Sequence, residues 1–268
     1  MRPAAALLCL LALPAQAGVD LSRWKLTLPV DADANGRADE IADPAGASVP
    51  PWFEQDGQDL VFRAPAGGAR TTGNTAYARS ELREMDTSGR PAAWDCLQAA
   101  RRMRLEQRLL ATTPAKPEVV IGQIHDARDD KLMLRYVGPP GANGHSDTGR
   151  IEMLWNNAAR AGTLDPAYVL GQPMAVDIEI RQGRLAVRYR NLASGLDHAL
   201  EARLDPTRIE GACFFKAGLY IQACSTTDLA GQPNQACLRK GWAPARHDAP
   251  EARAEVRIQA LELDSPPR

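Results

Sequence analysis

Three short stretches of the sequence each set polar groups of unlike chemistry on one strand face. In YARSELREM a two-residue period puts Arg79, Glu81 and Arg83 on one side, with Ser80, Leu82 and Glu84 on the other. Two guanidiniums around a carboxylate make a charge row suited to gripping an anionic sugar, with Glu81 bracing both arginines. A surface ion-pair ladder would use the same letters. In FFKAGLYIQ the apolar set Phe215, Ala217, Leu219 and Ile221 is unbroken, and the opposite parity carries Lys216, Gly218, Tyr220 and Gln222. Gly218 is expected to leave room for a ligand between Lys216 and Tyr220. VVIGQIHDAR adds Gln123 and His125 on one face, with Ile121 and Ile124 available for packing.

Taken together, these groups make chemical sense for one reaction. β-Elimination from a 4-linked uronic acid polymer requires the C5 carboxylate to be neutralised so that the neighbouring C–H becomes acidic. It also requires a base at C5 and an acid for the departing O4. Arg79 and Gln123 can serve the carboxylate, while His125 and Tyr220 can move protons. No cofactor is called for if an arginine and a neutral amide do the charge work.

The elements that must carry these residues are strands. MAVDIEIRQGRLAVRYRNL alternates apolar and polar residues on both sides of Gln182-Gly183, the pattern of a β-hairpin with one wet face. WKLTL, DLVFRA, KLMLRYV, RIEMLW and AEVRIQALEL read as further strands. LQAARRMRLEQRLLA consists of good helix formers, yet Leu97, Ala99, Met103, Leu105 and Leu109 share odd parity, so it too is expected to be a strand. Many short strands with almost no amphipathic helix predict an all-β, two-sheet antiparallel sandwich such as a jelly roll, with a polymer groove across its concave sheet.

Composition limits the partners. The chain has 268 residues, Lys+Arg 32 against Asp+Glu 33, and a formal net charge of -1. With no long block of like charge, bulk electrostatic binding to nucleic acid or an anionic membrane is not expected. Residues 1–17 have the form of a secretory signal: Arg2, then the apolar run Ala4 to Leu13, then Ala15-Gln16-Ala17. That leaves 18–268 as a single domain of an exported protein, secreted or periplasmic, expected to act as a monomer. Without Cys9 of the signal, Cys96, Cys213, Cys224 and Cys237 suit two disulfides in an oxidising compartment. Of three connectivities, the short span to Cys237 favours Cys224–Cys237, leaving Cys96–Cys213.

At the three polar stretches the sequence resembles the alginate lyases of polysaccharide lyase family seven. RSELREM at 79–85, QIH at 123–125 and FKAGLYIQ at 215–222 match that family's blocks in order and spacing. The resemblance implies a β-jelly-roll with a substrate groove across one sheet and alginate as the substrate. It makes Arg79 and Gln123 the neutralisers of the carboxylate, His125 a proton acceptor from C5, and Tyr220 the acid for the leaving oxygen. Tyr220 would serve as both base and acid on mannuronate, and His125 would matter more on guluronate. Glu81, Arg83, Lys216 and Gln222 would position substrate. Ile124 is the form associated with guluronate-containing polymer. Leu219 departs from the polar residue common at that position, but by parity it points away from the groove. A lyase for another polyuronate such as glucuronan would share every residue role. A non-catalytic jelly roll gripping a uronate polymer through Arg79, Arg83 and Lys216 is the alternative from another class.

Weaker signals remain. DADANGRADEIAD at 31–43 resembles a calcium loop through Asp31, Asp33, Asn35, Gly36 and Asp39, but Ala42 stands where the bidentate Glu belongs, and a surface turn uses the same letters. Glu81 and Glu84 as a glycosidase pair would sit on opposite faces of a strand. His145, His198 and His247 lack metal-ligand spacing and read as surface residues.

Overall fold

The computed structural model describes residues 19–72, 75–141 and 147–264. The signal-like residues 1–17 and His145 lie outside the described residues. In chain order the strands are β1 (Trp24–Thr27), β2 (Glu40–Ile41), β3 (Phe53–Asp56), β4 (Asp59–Pro65), β5 (Arg79–Glu84), β6 (Ala100–Ala111), β7 (Glu118–His125) and β8 (Asp130–Val137). There follow β9 (Thr148–Trp155), β10 (Arg160–Val169), β11 (Met174–Arg181), β12 (Arg184–Asn191), β13 (Asp197–Arg203), β14 (Phe214–Ile221) and β15 (Arg253–Asp264). The one α-helical turn described, α1, is Gln235–Leu238.

These strands form two antiparallel sheets. Eight are ordered β10-β9-β8-β7-β14-β5-β1-β2 and seven β13-β12-β11-β6-β15-β4-β3. Consecutive strands such as β4 and β5, β5 and β6, and β13 and β14 lie in opposite sheets, so the chain winds between layers as a jelly roll does. Period-two patterning supplies the shared core. In β11 every second residue is buried, and β6 turns Met103, Leu105 and Leu109 inward as its odd parity predicts. Gln107 shares that parity and is fully buried; its amide donates to the Ile121 carbonyl at 3.2 Å, which offsets part of the cost of burying it, while its Oε1 has no partner. The β11–β12 turn falls on Gln182 and Gly183 at φ +49° and +71°, the left-handed pair a two-residue hairpin requires.

Both expected disulfides are present, Cys96–Cys213 and Cys224–Cys237. The first ties the segment ahead of β6 to the start of β14, where Trp94 and Cys213 also exchange backbone hydrogen bonds. The second closes the loop that holds α1.

The outer face of the seven-stranded sheet is a ladder of ion pairs, Arg102–Asp177, Arg104–Glu262 and Arg63–Glu255 among them. The outer face of the eight-stranded sheet is different in kind, because β5, β7 and β14 lie side by side near its middle.

Candidate active site

Strand register assembles the site from three separate stretches of sequence. Across β14 and β5, Lys216 is opposite Arg83 and Tyr220 opposite Arg79; across β14 and β7, Lys216 is opposite Gln123 and Phe214 opposite His125. Arg79, Arg83, Gln123, His125, Lys216 and Tyr220 all line one open groove of about 710 Å³.

Beneath the groove lies Glu81, almost fully buried. Its Oε2 meets Arg79 Nη1 at 3.0 Å and Lys216 Nζ at 2.5 Å, while its Oε1 accepts from Gln123 Nε2. Burial works against the charge, but Lys216, Arg79 and the hydrogen bonds outweigh it and hold the Glu81 carboxyl below its ordinary range. Glu81 is therefore an anchor that fixes Arg79, Lys216 and Gln123 from below, and it is not among the groove-lining residues. The expected bracing of Arg83 does not occur. Arg83 leans the other way, donating to the Glu84 carbonyl at 3.3 Å and placing Cζ 3.8 Å over the Phe214 ring. Buried Glu84 accepts from Trp94 Nε1 and from the Phe215 amide, both at 2.9 Å, on the far side of β5. The two glutamates form no catalytic pair.

The donors around Glu81 are not fully spent on it. Arg79 spends Nη1 on Glu81, and its buried Nε has no partner. Gln123 must turn its NH2 toward the acceptor-only Glu81, leaving its second N–H and its carbonyl. Lys216 is lowered to about 8 by burial and by the repulsion of Arg79, with Glu81 opposing.

His125 Nδ1 lies 2.5 Å from the carbonyl of Asp126. A carbonyl only accepts, so the proton sits on Nδ1 and the Nε2 lone pair is free. Burial, then the nearby Lys216, lowers this imidazole to about 4, so the ring is neutral at pH 7. It stacks on Phe214 at 5.5 Å. Tyr220 rests on the apolar patch of Val120, Met133 and Leu154, and its hydroxyl is 3.1 Å from Thr75 Oγ1.

Three expectations need correction. Gly218 is not a ligand gap: at φ +124° its missing Cβ would meet the Ser80 carbonyl oxygen at 2.9 Å, Glu81 Cα at 3.1 Å and Phe62 at 3.2 Å. Glycine is needed there for close packing of β14 on β5, at the point where the β14–β7 pairing shifts register. Gln222 does not line the groove, and its amide donates to the Ile221 carbonyl at 3.3 Å. His247 is half-buried and stacks on Trp242 at 6.0 Å, whereas His198 is exposed as expected.

Thr75, Tyr77, Lys25, Phe214, Arg128 and Lys240 also line the groove, and sequence reasoning missed them. Most come from loops or neighbouring strands whose periodicity shows nothing of where they converge. Asp31, Asp33 and Asp39 do bring carboxylate oxygens within 4.8 Å of one another. Asn35 instead serves the loop itself, its side-chain amide donating to Asp33 at 2.8 Å.

A family model described as alginate lyase matches residues 19–264. A curated alginate lyase of Klebsiella pneumoniae is 34% identical over 147 residues, a stretch covering 51% of this chain and 46% of that protein. The matched part thus spans about half the length of that relative. Among solved structures, an alginate lyase of polysaccharide lyase family 7 superposes with a TM-score of 0.69 at 29% identity, covering 93% of this chain and 97% of that one. An alginate lyase from Pseudomonas aeruginosa superposes with a TM-score of 0.67 at 26% identity, covering 92% and 100%. With the family match running almost from end to end of the described fold, this chain belongs to the alginate lyase family.

Proposed function

We propose that the protein cleaves alginate by β-elimination, with the reaction centred on Arg79, Gln123, His125 and Tyr220. The observation that carries this reading is the buried Glu81, which orients Arg79, Lys216 and Gln123 together under one groove. A module that only bound polymer would need charge, but not a neutral imidazole and a phenol beside it.

In the proposed step the uronate carboxylate sits on Arg79, with Gln123 and Lys216 beside it. Withdrawal of its charge acidifies C5–H, because the developing enolate-like charge meets donors already in place. The C5–H bond breaks toward a base, its electrons form the C4=C5 double bond, and the C4–O4 bond breaks. O4 leaves with the neighbouring sugar and takes a proton from Tyr220. The products are a new reducing end and a 4,5-unsaturated uronate at the new non-reducing end. His125 Nε2 is the base where C5–H and O4 lie on opposite sides, as in guluronate. Where they share a side, as in mannuronate, the Tyr220 oxygen, deprotonated beforehand, takes the C5 proton and passes that same proton to O4.

Arg83, over Phe214, positions the chain at the other end of β14, and Glu81 acts only through the groups it holds. The exported character rests on the form of residues 1–17 and on the two disulfides, which fit an oxidising compartment. We read 18–268 as one catalytic domain acting as a monomer, secreted or periplasmic.

The test follows ultraviolet absorbance on mixing purified protein, in chelator, separately with polymannuronate, polyguluronate and glucuronan. A rise with either alginate block supports the reading. A rise with glucuronan alone would make the protein a lyase of another polyuronate, and binding without any rise would make it a binding module.

A further inference from the structure

Past Tyr220 the groove reaches side chains that the elimination itself does not use. Tyr77 meets Tyr220 edge-on, with ring centroids 6.1 Å apart, and Lys240 Nζ stands 4.9 Å from the Tyr77 centroid. Both Tyr77 and Lys240 line the groove. Most of the other groove cations are already paired: Lys25 with Glu40 at 2.6 Å, Lys216 and Arg79 with Glu81, and Arg128 with Glu210 at 2.8 Å. Lys240 is exposed, and among the described residues no carboxylate pairs with it.

The backbone that carries Lys240 is held in place by its surroundings. Cys224–Cys237 closes the loop just before it, and Asn234 caps α1 by accepting from the Cys237 amide at 3.3 Å. Ala76, Cys224, Ala236 and Cys237 form a small apolar cluster against which Tyr77 and Trp242 pack. Trp242 lies nearly parallel to Tyr77 at 6.2 Å, and Lys116 and Arg246 flank its indole at 5.2 and 5.6 Å. Lys116 and Arg246 share the carboxylate of Glu118, at 2.7 and 4.0 Å, while Arg135, 3.4 Å from it, also pairs with Glu152. Lys240 therefore adds an unpaired positive charge to this end of the groove, over the Tyr77 ring.

We propose that Lys240, seated on Tyr77, is a carboxylate-binding subsite for a uronate residue beyond the sugar at which the bond breaks. A polyuronate presents one carboxylate per sugar, so a chain long enough to pass Tyr220 brings an anion to this ammonium. A shorter chain does not. The inference rests on reading the groove as a polyuronate-cleaving site.

The test compares wild type, Lys240→Gln and Lys240→Arg on a trisaccharide and a hexasaccharide of the same uronate, following unsaturated product. Lys240→Gln should lower the ratio of hexasaccharide to trisaccharide kcat/KM about fivefold, through KM, the upper end for one exposed ion pair. Lys240→Arg should restore the ratio. An unchanged ratio in an active Lys240→Gln variant, or a loss in kcat equal for both lengths, would overturn the subsite and leave the lyase reading intact. Absence of product from wild type with both lengths would instead overturn the reading beneath it. Titration of the hexasaccharide against Tyr220→Phe with and without Lys240→Gln then decides the subsite by binding alone, with weaker binding supporting it and equal binding rejecting it.

Discussion

Arg79 lies over Tyr220, its guanidinium carbon 3.8 Å from the ring centroid. One contact thus fixes both the group proposed to neutralise the substrate carboxylate and the group proposed to give a proton to the leaving oxygen, and it does so from adjacent strands in register. Arg79→Ala should lower kcat/KM about a hundredfold or more and raise KM, because charge stabilisation and the seat of Tyr220 go together. Arg79→Lys should recover little, since an ammonium cannot stack on the ring and reach Glu81 with a planar fork. Steady-state kinetics on alginate check both, and near-normal kinetics in Arg79→Ala would remove Arg79 from the site.

Glu81 is the keystone of the cation cluster. Replacing it by Gln keeps the shape but leaves Lys216 and Arg79 without their buried counter-charge, which should cost about 3–5 kcal/mol of stability. Urea unfolding of Glu81→Gln reads this directly. An unchanged midpoint would mean that the cluster is relaxed by solvent and that Glu81 does not anchor it.

Two groups bracket the working pH. His125 is pushed down to about 4 and Lys216 to about 8, so kcat/KM should fall below roughly pH 4 as the imidazole is protonated and above roughly pH 8 as the ammonium is lost. Lys216→Arg should carry the alkaline limb upward. Stability follows from His125 as well: between its ordinary pKa of about 6.5 and about 4 the unfolded chain takes up a proton that the folded chain refuses, so stability declines as pH falls through that window. His125→Gln should flatten that part of a denaturation-versus-pH curve.

The disulfides close loops of very different span, 117 residues for Cys96–Cys213 and 13 for Cys224–Cys237. Chain entropy assigns about 5 kcal/mol to the first and about 3 kcal/mol to the second. The Cys96→Ala/Cys213→Ala variant should therefore lose more stability in chemical denaturation than Cys224→Ala/Cys237→Ala. The reverse order would mean that the shorter bridge stabilises mainly through native contacts.

Much of this was legible in the sequence because strands write their faces in period two. The β11–β12 hairpin, the odd-parity core of β6 and the polar faces of β7 and β14 follow from alternation alone, and the three blocks place Arg79, Gln123, His125, Lys216 and Tyr220. What failed did so for physical reasons. Parity placed Glu81 with Arg79 and Arg83 correctly, but it could not tell that Glu81 would pair with Arg79 and with Lys216 on the next strand while Arg83 turned away. Gly218 belongs to a register shift, which no single strand's pattern reveals. Gln222 falls one residue past the end of β14, where strand alternation no longer sets direction. Thr75, Tyr77 and Lys240 reach the groove from loops whose placement depends on tertiary packing and on a disulfide.

The most direct test of the account sets Tyr220→Phe beside wild type on one alginate sample, measuring both the growth of ultraviolet absorbance and the affinity for polymer. The substitution removes the hydroxyl and its bond to Thr75 but keeps the ring under Arg79. Turnover should fall by about a hundredfold to ten-thousandfold, with affinity nearly unchanged. Turnover close to wild type in Tyr220→Phe would contradict the account, because the proton for the leaving oxygen would then come from elsewhere.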